Sequence, residues 1–260
     1  MEYEFVKIER RNHISIVTIN RPEVYNAVHP PLSLELDQVW NDFIQDRDQW
    51  VAVLTGAGDK AFSAGNDLKY SAQPGKYKVQ QPKSGFAGLT NRFDRTKPII
   101  AAVNGFAMGG GMETALSCDI ILASENAKFA LPEVKVGFFA AAGGVQRLSR
   151  QIGKKSALEM ILTGRSVDAA EALKLGIIND VFPQAELLDK AIQKAEVIAG
   201  NCPSSVKYSL EALNHMDQLE EMASALEKSY ELIDLLRKTE DHKEGVSAFV
   251  EKRTPQWKNK

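Results

Sequence analysis

The chain has 260 residues, with 32 Lys and Arg against 34 Asp and Glu, a formal net charge of -2, 44% hydrophobic residues and 25% charged residues. This composition is that of a globular domain and excludes disordered and collagen-like chains. The near-neutral charge argues against a broad surface for nucleic acid. No apolar run approaches the ~18 residues of a membrane span, and the acidic start at residues 1–4 does not fit a targeting peptide. We therefore expect a cytoplasmic protein that binds neither nucleic acid nor membrane.

The first elements predicted in chain order are a β-hairpin and a helix. Residues 3–8 and 14–19 are rich in β-branched side chains, and Asn12 and His13 supply a turn between them. The helix after Pro22 has apolar residues spaced along one face: Leu32, Leu36, Val39, Trp40, Phe43 and Ile44.

Three continuous apolar runs follow, at residues 51–55, 99–103 and 120–123. Such runs are typical of parallel strands that are buried on both faces. Because helical patterns separate them, the sequence predicts successive crossover units and an α/β fold. The polar stretch 71–85, with Pro74 and Pro82, is interpreted as a surface loop near a binding cleft.

The last quarter of the chain is predicted to be helical. We divide the chain into a core at residues 1–185 and a helical region at residues 186–260, which ends in a short helix near 240–253. An apolar stripe at helical spacing predicts that this region takes part in oligomerisation, although packing within one chain would explain it as well; its residues are Leu219, Met222, Leu226, Tyr230 and Ile233.

Two glycine-rich segments lie where predicted strands meet helices. Residues 62–68 follow the strand at 51–55, and residues 108–113 follow the strand at 99–103. In an open α/β sheet, the carboxyl ends of the strands border the usual ligand cleft. A helix that begins with glycines leaves backbone N–H groups free to bind an oxyanion. Tight packing that tolerates only glycine explains the segments equally well.

Two glutamates near these segments are candidate acid/base groups. Glu113 lies in the first turn of the helix after the second glycine segment, and Glu133 follows Pro132 between apolar residues. Each is also an ordinary residue for a helix start. Near an apolar cleft their pKa values would rise, which suits proton transfer. Their spacing alone does not show that they meet.

Fingerprints of bound cofactors are absent from the sequence. The glycines at 109–111 fit neither a phosphate-binding loop nor a dinucleotide motif, and the four histidines lie outside metal-ligand spacings. Cys118 and Cys202 are interpreted as reduced thiols. We predict that no metal or redox cofactor takes part.

These segments resemble the crotonase superfamily, the enoyl-CoA hydratase/isomerase family, over nearly the whole chain. The resemblance runs through NRPEVYNAV at 20–28, FSAGNDLK at 62–69, the continuous stretch 97–137 and SAFVEKR at 247–253. It implies a spiral of ββα units followed by a helical region that covers coenzyme A. It also implies trimers or hexamers of identical subunits and an acyl-CoA substrate, with coenzyme A as part of that substrate and no separate cofactor.

The resemblance also implies roles for single residues. The backbone N–H groups of Asn66 and Gly110 match the oxyanion hole for a thioester carbonyl, and Glu113 and Glu133 match the catalytic glutamates of the hydratases. The family's positions near coenzyme A match a further set of residues: Ala64, Asp67, Leu68, Lys69, Phe249 and Lys252. For Lys252, an ordinary solvated charge on a helix explains the residue equally well.

The predicted reaction is the reversible syn addition of water across the C2=C3 bond of a 2-enoyl-CoA thioester. Two features depart from the commonest hydratase pattern: alanines at 140–142 stand in place of Pro-Gly-Ala, and Asn66 replaces a small apolar residue. Short segments are nearest to the carnitinyl-CoA dehydratase branch, so a crotonobetainyl-CoA hydratase is one alternative.

A Δ3,Δ2-enoyl-CoA isomerase is a second alternative, which the presence of both glutamates disfavours, because a second carboxylate chiefly positions water. An RNA-binding protein on the same scaffold is the non-enzymatic alternative. The net charge of -2 and the lack of a lysine-rich helix argue against it.

Overall fold

The computed structural model of the chain describes residues 3–73, 81–216 and 230–260. Within these ranges the strands form two sheets. The large sheet contains β1 Val6–Arg11, β2 Ile14–Ile19, β3 Val51–Gly56, β5 Ile99–Val103, β7 Ile120–Ser124 and β10 Asp180–Phe182. The small sheet contains β4 Ala61–Ser63, β6 Phe106–Met108, β8 Lys128–Ala130 and β9 Ser166–Asp168.

The strand order shows a spiral that moves one strand along both sheets with each turn. The large sheet has the order β1-β2-β3-β5-β7-β10 and the small sheet β4-β6-β8-β9. All neighbours are parallel except β1 with β2 and β8 with β9. Each of β3, β5 and β7 is followed by a strand of the small sheet and then by a helical segment. The chain is therefore an α/β protein built from ββα turns, as predicted.

Helices cover the sheets and make up most of the described chain after β10. The α-helices are α1 Pro30–Gln45, α2 Leu68–Ser71, α3 Gly110–Leu116, α4 Gly144–Gln151, α5 Lys154–Thr163, α6 Ala169–Leu175, α7 Leu187–Ala199, α8 Pro203–Met216 and α9 Glu240–Glu251. Residues 230–236 are also helical. The described part of the chain also has short 3-10 helices at Pro22–Val24, Phe86–Gly88 and Pro132–Val136. In the described ranges, no helix is long and apolar enough to cross a membrane.

The large sheet separates two hydrophobic cores. In β3, Ala52 and Leu54 pack with α1 and α3, whereas Val51 and Val53 pack with α7 on the opposite face. Alternate side chains of a strand point to opposite faces, so a strand buried on both sides needs the continuous apolar run seen in the sequence. The small-sheet strands β4 and β6, which lead into the glycine segments, follow β3 and β5 of this buried sheet.

Most predicted elements of the core are found, with one shift at the start. The first strand was expected at residues 3–8 but spans Val6–Arg11. The preceding residues dock on α1, because the N–H groups of Glu4 and Phe5 donate to the Glu35 carboxylate at 3.0 and 2.8 Å. Asn12 has a φ of 51°, which closes the predicted turn.

The C-terminal predictions are less fully described by the structure. Leu219, Met222 and Leu226 of the apolar stripe lie outside the described residues, whereas Tyr230 is 66% exposed and Ile233 is 37% exposed. The final helix lies at Glu240–Glu251, near its expected place. The division of the chain at residue 185 and the oligomer stay predictions.

Candidate active site

The two glycine segments contact each other at the carboxyl ends of β4 and β6. Gly65 has a φ of +85°, and a Cβ there would lie 2.5 Å from the carbonyl oxygen of Met108 and 2.9 Å from the nitrogen of Gly110. A side chain would clash with backbone that cannot move, so only glycine fits. In the sheet register Ser63 pairs with Ala107. The pairing ends there, and the close approach of Gly65 to Gly110 then places the N–H of Asn66, the next residue, near that of Gly110.

The amides of Asn66 and Gly110 are free of the surrounding backbone ladder. Val28 N–H donates to the Gly65 carbonyl at 2.7 Å, and Asp67 N–H donates to the Val28 carbonyl at 3.0 Å. The peptide groups on both sides of Asn66 thus face Val28, and the N–H of Asn66 itself points the other way. Gly110 is the first residue of α3, so its N–H has no acceptor one turn earlier within the helix.

An aromatic ring forms a wall beside the Gly110 amide. A Cβ on Gly110 would lie 2.6 Å from Cε1 of Phe86, so the ring packs directly on the glycine. Phe86 begins a 3-10 helix that α1 holds in place: Ala87 N–H donates to Ser33 Oγ at 3.0 Å, and Trp40 Nε1 donates to the Ala87 carbonyl at 3.1 Å. The position of the ring therefore depends on the buried face of α1.

Glu113 is a buried carboxylate in the first turn of α3, with 4% of its surface exposed. Its Oε1 accepts a hydrogen bond from Gly144 N–H at 2.9 Å. Burial raises the pKa of Glu113 to about 7; the charge of Glu133 acts in the same direction, and the N–H groups of Gly144 and Ala142 and the Arg147 guanidinium oppose the rise. A carboxyl with this pKa exchanges protons readily near neutral pH.

Glu133 lies in the 3-10 helix Pro132–Val136, beside the first glycine of the second segment. A Cβ on Gly109 would lie 3.0 Å from Oε1 of Glu133. Its Oε2 is buried and has no hydrogen-bond partner among the described residues. Burial raises the pKa of Glu133 as well. Glu113 N–H donates to the Gly109 carbonyl at 2.9 Å, so both predicted glutamates border the same glycine, which sequence spacing alone did not establish.

The residues after β4 surround the first glycine segment at the surface. Ala64, Asn66, Leu68 and Lys69 are exposed. Asp67 is different, because its carboxylate caps α2 through Tyr70 N–H at 3.0 Å and pairs with Arg21 at 3.1 Å. Its side chain is thus occupied in holding the loop, and its predicted role at coenzyme A stays a prediction.

The two predicted residues of the last helix lie at its C-terminal end. Phe249 belongs to α9, and its side chain is outside the described part of the chain. Lys252 is exposed and has a φ of 55° just after the helix. Arg253 N–H then donates to the Ala248 carbonyl at 3.1 Å, as in a Schellman ending of a helix. The described contacts do not connect either residue with the glutamates.

Sequence reasoning missed the residues that hold Glu113. Gly144 and Arg147 of α4 and Phe86 all contribute to the site, yet none was proposed as a functional residue. Gly143 and Gly144 begin a helix much as the glycines of α3 do, and this similarity is the signal that could have identified them. Their link to Glu113 spans 31 residues of sequence.

Other reactive groups in the described ranges are structural. No cluster of three or more His, Cys, Asp or Glu side chains that could hold a metal ion occurs there. Both cysteines are free thiols, and burial raises the pKa of Cys118 to about 12, which makes its thiol unreactive. The predicted absence of a metal and a redox cofactor stays a prediction.

Comparison with known proteins places this chain in a family. Residues 9–260 match the family model described as enoyl-CoA hydratase/isomerase. The chain is 41% identical to the (E)-benzylidenesuccinyl-CoA hydratase of Thauera aromatica, with 96% of this chain and 97% of that protein covered. It is 39% identical to the carnitinyl-CoA dehydratase of Escherichia coli O157:H7, with 99% of each covered.

Solved structures give the same result for the fold. The crystal structure of the enoyl-CoA hydratase from Mycobacterium tuberculosis H37Rv superposes with a TM-score of 0.91 at 35% identity, covering 98% of this chain and 99% of that one. The chain belongs to the enoyl-CoA hydratase/isomerase family of the crotonase superfamily. The predicted fold and the predicted enzyme, an enoyl-CoA hydratase of this superfamily, are thereby confirmed.

Proposed function

We propose that the protein adds water reversibly across the C2=C3 bond of a 2-enoyl-CoA thioester, with Glu113 and Glu133 as the acid/base pair. The observation that supports this most directly is the pair of carboxylates, one buried and one partly buried, beside the two glycine segments. One carboxylate is held by backbone N–H groups, and the other has a buried oxygen without a partner. A water molecule between them would supply that partner.

The chemistry follows from these groups. The oxygen of the water adds to C3 while one carboxylate takes a proton from it, and a proton is delivered to C2 on the same face. Negative charge builds up on the thioester oxygen between these two events. The N–H groups of Asn66 and Gly110 would stabilise this enolate, and loss of one such donor typically costs roughly 3–4 kcal/mol of barrier. No metal or redox cofactor is required by this scheme.

Coenzyme A would bind at the exposed surface after β4. Ala64, Leu68 and Lys69 are accessible there, and Lys69 offers a cation for a phosphate or the adenine end. Phe249 and Lys252 would reach coenzyme A from a neighbouring subunit of a trimer or hexamer. Sedimentation at micromolar concentration tests the assembly, and a monomer would contradict it.

A panel of 2-enoyl-CoA thioesters tests the reaction. Crotonyl, longer-chain, branched and crotonobetainyl thioesters are offered to the purified protein, and loss of the conjugated thioester absorbance is followed. Turnover of at least one member without added metal, and after exhaustive chelation, is expected. Activity that disappears on chelation and returns with a divalent ion would contradict the mechanism.

Crotonobetainyl-CoA is the second candidate substrate, and one observation favours a polar acyl group. The side chain of Asn66 is exposed beside its own proposed donor N–H, and its amide contacts only Ser71 Oγ, at 3.5 Å, in the described structure. It is thus available to a polar substituent of the substrate. A preference for crotonobetainyl-CoA over crotonyl-CoA in the panel would establish this alternative.

A further inference from the structure

Arg147 lies one turn into α4 and joins two walls of the site. Its Nη2 donates to the Thr90 carbonyl at 2.6 Å, and its Nη1 donates to the Ala142 carbonyl at 3.4 Å. The guanidinium also lies directly over the α-carbon of Gly143, where a Cβ would collide with Nη1. Arg147 forms no ion pair with a carboxylate in the described part of the chain.

The two segments held by Arg147 are the ones that border Glu113 and Gly110. Thr90 closely follows the 3-10 helix whose Phe86 ring packs on Gly110. Ala142 precedes Gly144, whose N–H donates to Glu113. A fork of planar donors can bind carbonyls of two segments at once, which a single ammonium group cannot do with the same geometry.

The charge of Arg147 also acts on Glu113. The titratable groups that face Glu113 are Glu133, from the 3-10 helix, and Arg147, from α4. Arg147 in turn faces Arg95, Cys118 and Arg150 besides Glu113. A desolvated guanidinium without a carboxylate of its own is costly unless a nearby negative charge offsets it. The ionised form of Glu113 is one negative charge that acts on Arg147.

We propose that Arg147 is a positioning residue of the site, which holds the turn at residues 142–144 against Glu113 and stabilises the ionised carboxylate. This inference rests on the proposed function, because its effect is measured through the reaction of Glu113. Arg147 does not contact the reacting atoms in this scheme. It determines where the Gly144 N–H lies and at which pH Glu113 loses its proton.

The test compares Arg147→Met and Arg147→Lys with Arg150→Met, which removes the same charge from an exposed residue of the same helix. The pH dependence of kcat/KM is measured with the most active thioester of the panel. The wild-type profile of kcat/KM against pH should have a limb near pH 7, where Glu113 loses its proton. Arg147→Met should move this limb to higher pH, since loss of a nearby opposite charge raises a carboxyl pKa. Arg150→Met should leave it in place.

Arg147→Lys separates position from charge. It should keep the limb near its wild-type pH but lower kcat on the order of tenfold or more, because the site geometry loosens. A limb that does not move in Arg147→Met, that moves equally in Arg150→Met, or that is absent from wild type would overturn the inference. If Arg147→Met does not fold, an unchanged kcat in folded Arg147→Lys would overturn it.

The proposed function fails separately from this inference. If Glu113→Gln keeps near wild-type activity, the paired-glutamate mechanism itself is wrong. If Glu113→Gln is inactive while the Arg147 variants behave as wild type, only the role of Arg147 is rejected.

Discussion

The surroundings of the two glutamates differ in a way that suggests different tasks. Glu113 lies on a helix, is almost fully buried and accepts a hydrogen bond from Gly144 N–H. Glu133 lies in a short 3-10 helix, and its Oε2 has no described partner. A buried polar atom without a partner is uncommon in folded proteins and marks a place where water or a ligand binds. The fold fixes one carboxylate through a hydrogen bond and leaves one oxygen of the other without a described partner, which under the proposed function the reactants would supply.

The largest expected effect comes from removing each carboxylate. Glu113→Gln and Glu133→Gln should each lower kcat by roughly 100- to 10,000-fold with a small change in KM, because each removes a proton-transfer group. The double variant should be little worse than the worse single variant, since residues that act as a unit are not additive.

An isomerase would respond to the same variants differently. It would tolerate Glu113→Gln and lose activity only with Glu133→Gln. Circular dichroism and binding of coenzyme A serve as controls for folding. If either single variant retains near wild-type hydration of every thioester in the panel, that carboxylate has no part in the reaction.

Two glycine substitutions disturb one glutamate at a time. Gly144→Ala adds a methyl group 3.0 Å from Oε1 of Glu113, and Gly109→Ala adds one 3.0 Å from Oε1 of Glu133. A shift of a catalytic group by about 1 Å can cost on the order of 100-fold in rate, so both variants should lose kcat. Gly109 has a φ of +53°, so Gly109→Ala should also lower the melting temperature.

Gly153→Ala is the matched control for these variants. Gly153 precedes α5 and has a φ of -56°, and a Cβ there would have no neighbour within 4 Å. This variant should keep full activity, since its added methyl group contacts no neighbour. Full activity of Gly144→Ala would show that the position of the Gly144 N–H against Glu113 is unimportant.

The raised pKa of Glu113 predicts a pH-dependent cost to stability. Between the ordinary carboxyl pKa of 4.5 and about 7, the folded state binds more protons at Glu113 than the unfolded state does. The free energy of unfolding should therefore fall as pH rises through this interval. Glu113→Gln removes this dependence. Between pH 4.5 and 8, the free energy of unfolding of this variant should therefore rise by about 1–3 kcal/mol relative to that of wild type.

Urea unfolding at several pH values and one protein concentration measures this gain. Glu125→Gln, at an exposed site, is the control for loss of a carboxylate. A constant difference between Glu113→Gln and wild type from pH 4.5 to 8 would contradict the burial cost at Glu113.

The smallest effect is expected at Asn66. Asn66→Ala keeps the backbone N–H that is proposed to bind the thioester oxygen and removes only an exposed amide. The kcat for crotonyl-CoA should therefore change by less than about threefold, because the transition-state donor is retained. A loss as large as that of the glutamate variants would show that the side chain, and not the backbone, is essential.

The sequence was sufficient for features that depend on local pattern. The apolar runs of β3, β5 and β7 predicted buried strands because a strand between two cores must be apolar on both faces. The glycine segments and both glutamates were also recognised. Sequence reasoning did not predict three contacts: the hydrogen bond from Gly144 to Glu113, the packing of Phe86 on Gly110, and the hydrogen bonds of Arg147 to two segments. Their partners are distant along the chain, and no periodicity in the sequence indicates such contacts. The first strand was misplaced for the same reason, since Glu35 of α1 binds the residues before it.

The backbone that follows the paired strands β4 and β6 would set the distance between the two donor nitrogens of the proposed oxyanion hole. Neighbouring strands lie about 4.8 Å apart, and the pairing of β4 with β6 ends at Ser63 and Ala107, so the segments that carry Asn66 and Gly110 leave the sheet side by side. Two nitrogens at that separation can both donate at about 2.9 Å to one oxygen that lies about 1.6 Å off the line between them. The distance between the two donors would then depend on the spacing of the backbone and not on side chains. Side chains around the hole could change with the acyl group while the hydrogen bonds to the thioester oxygen stay the same.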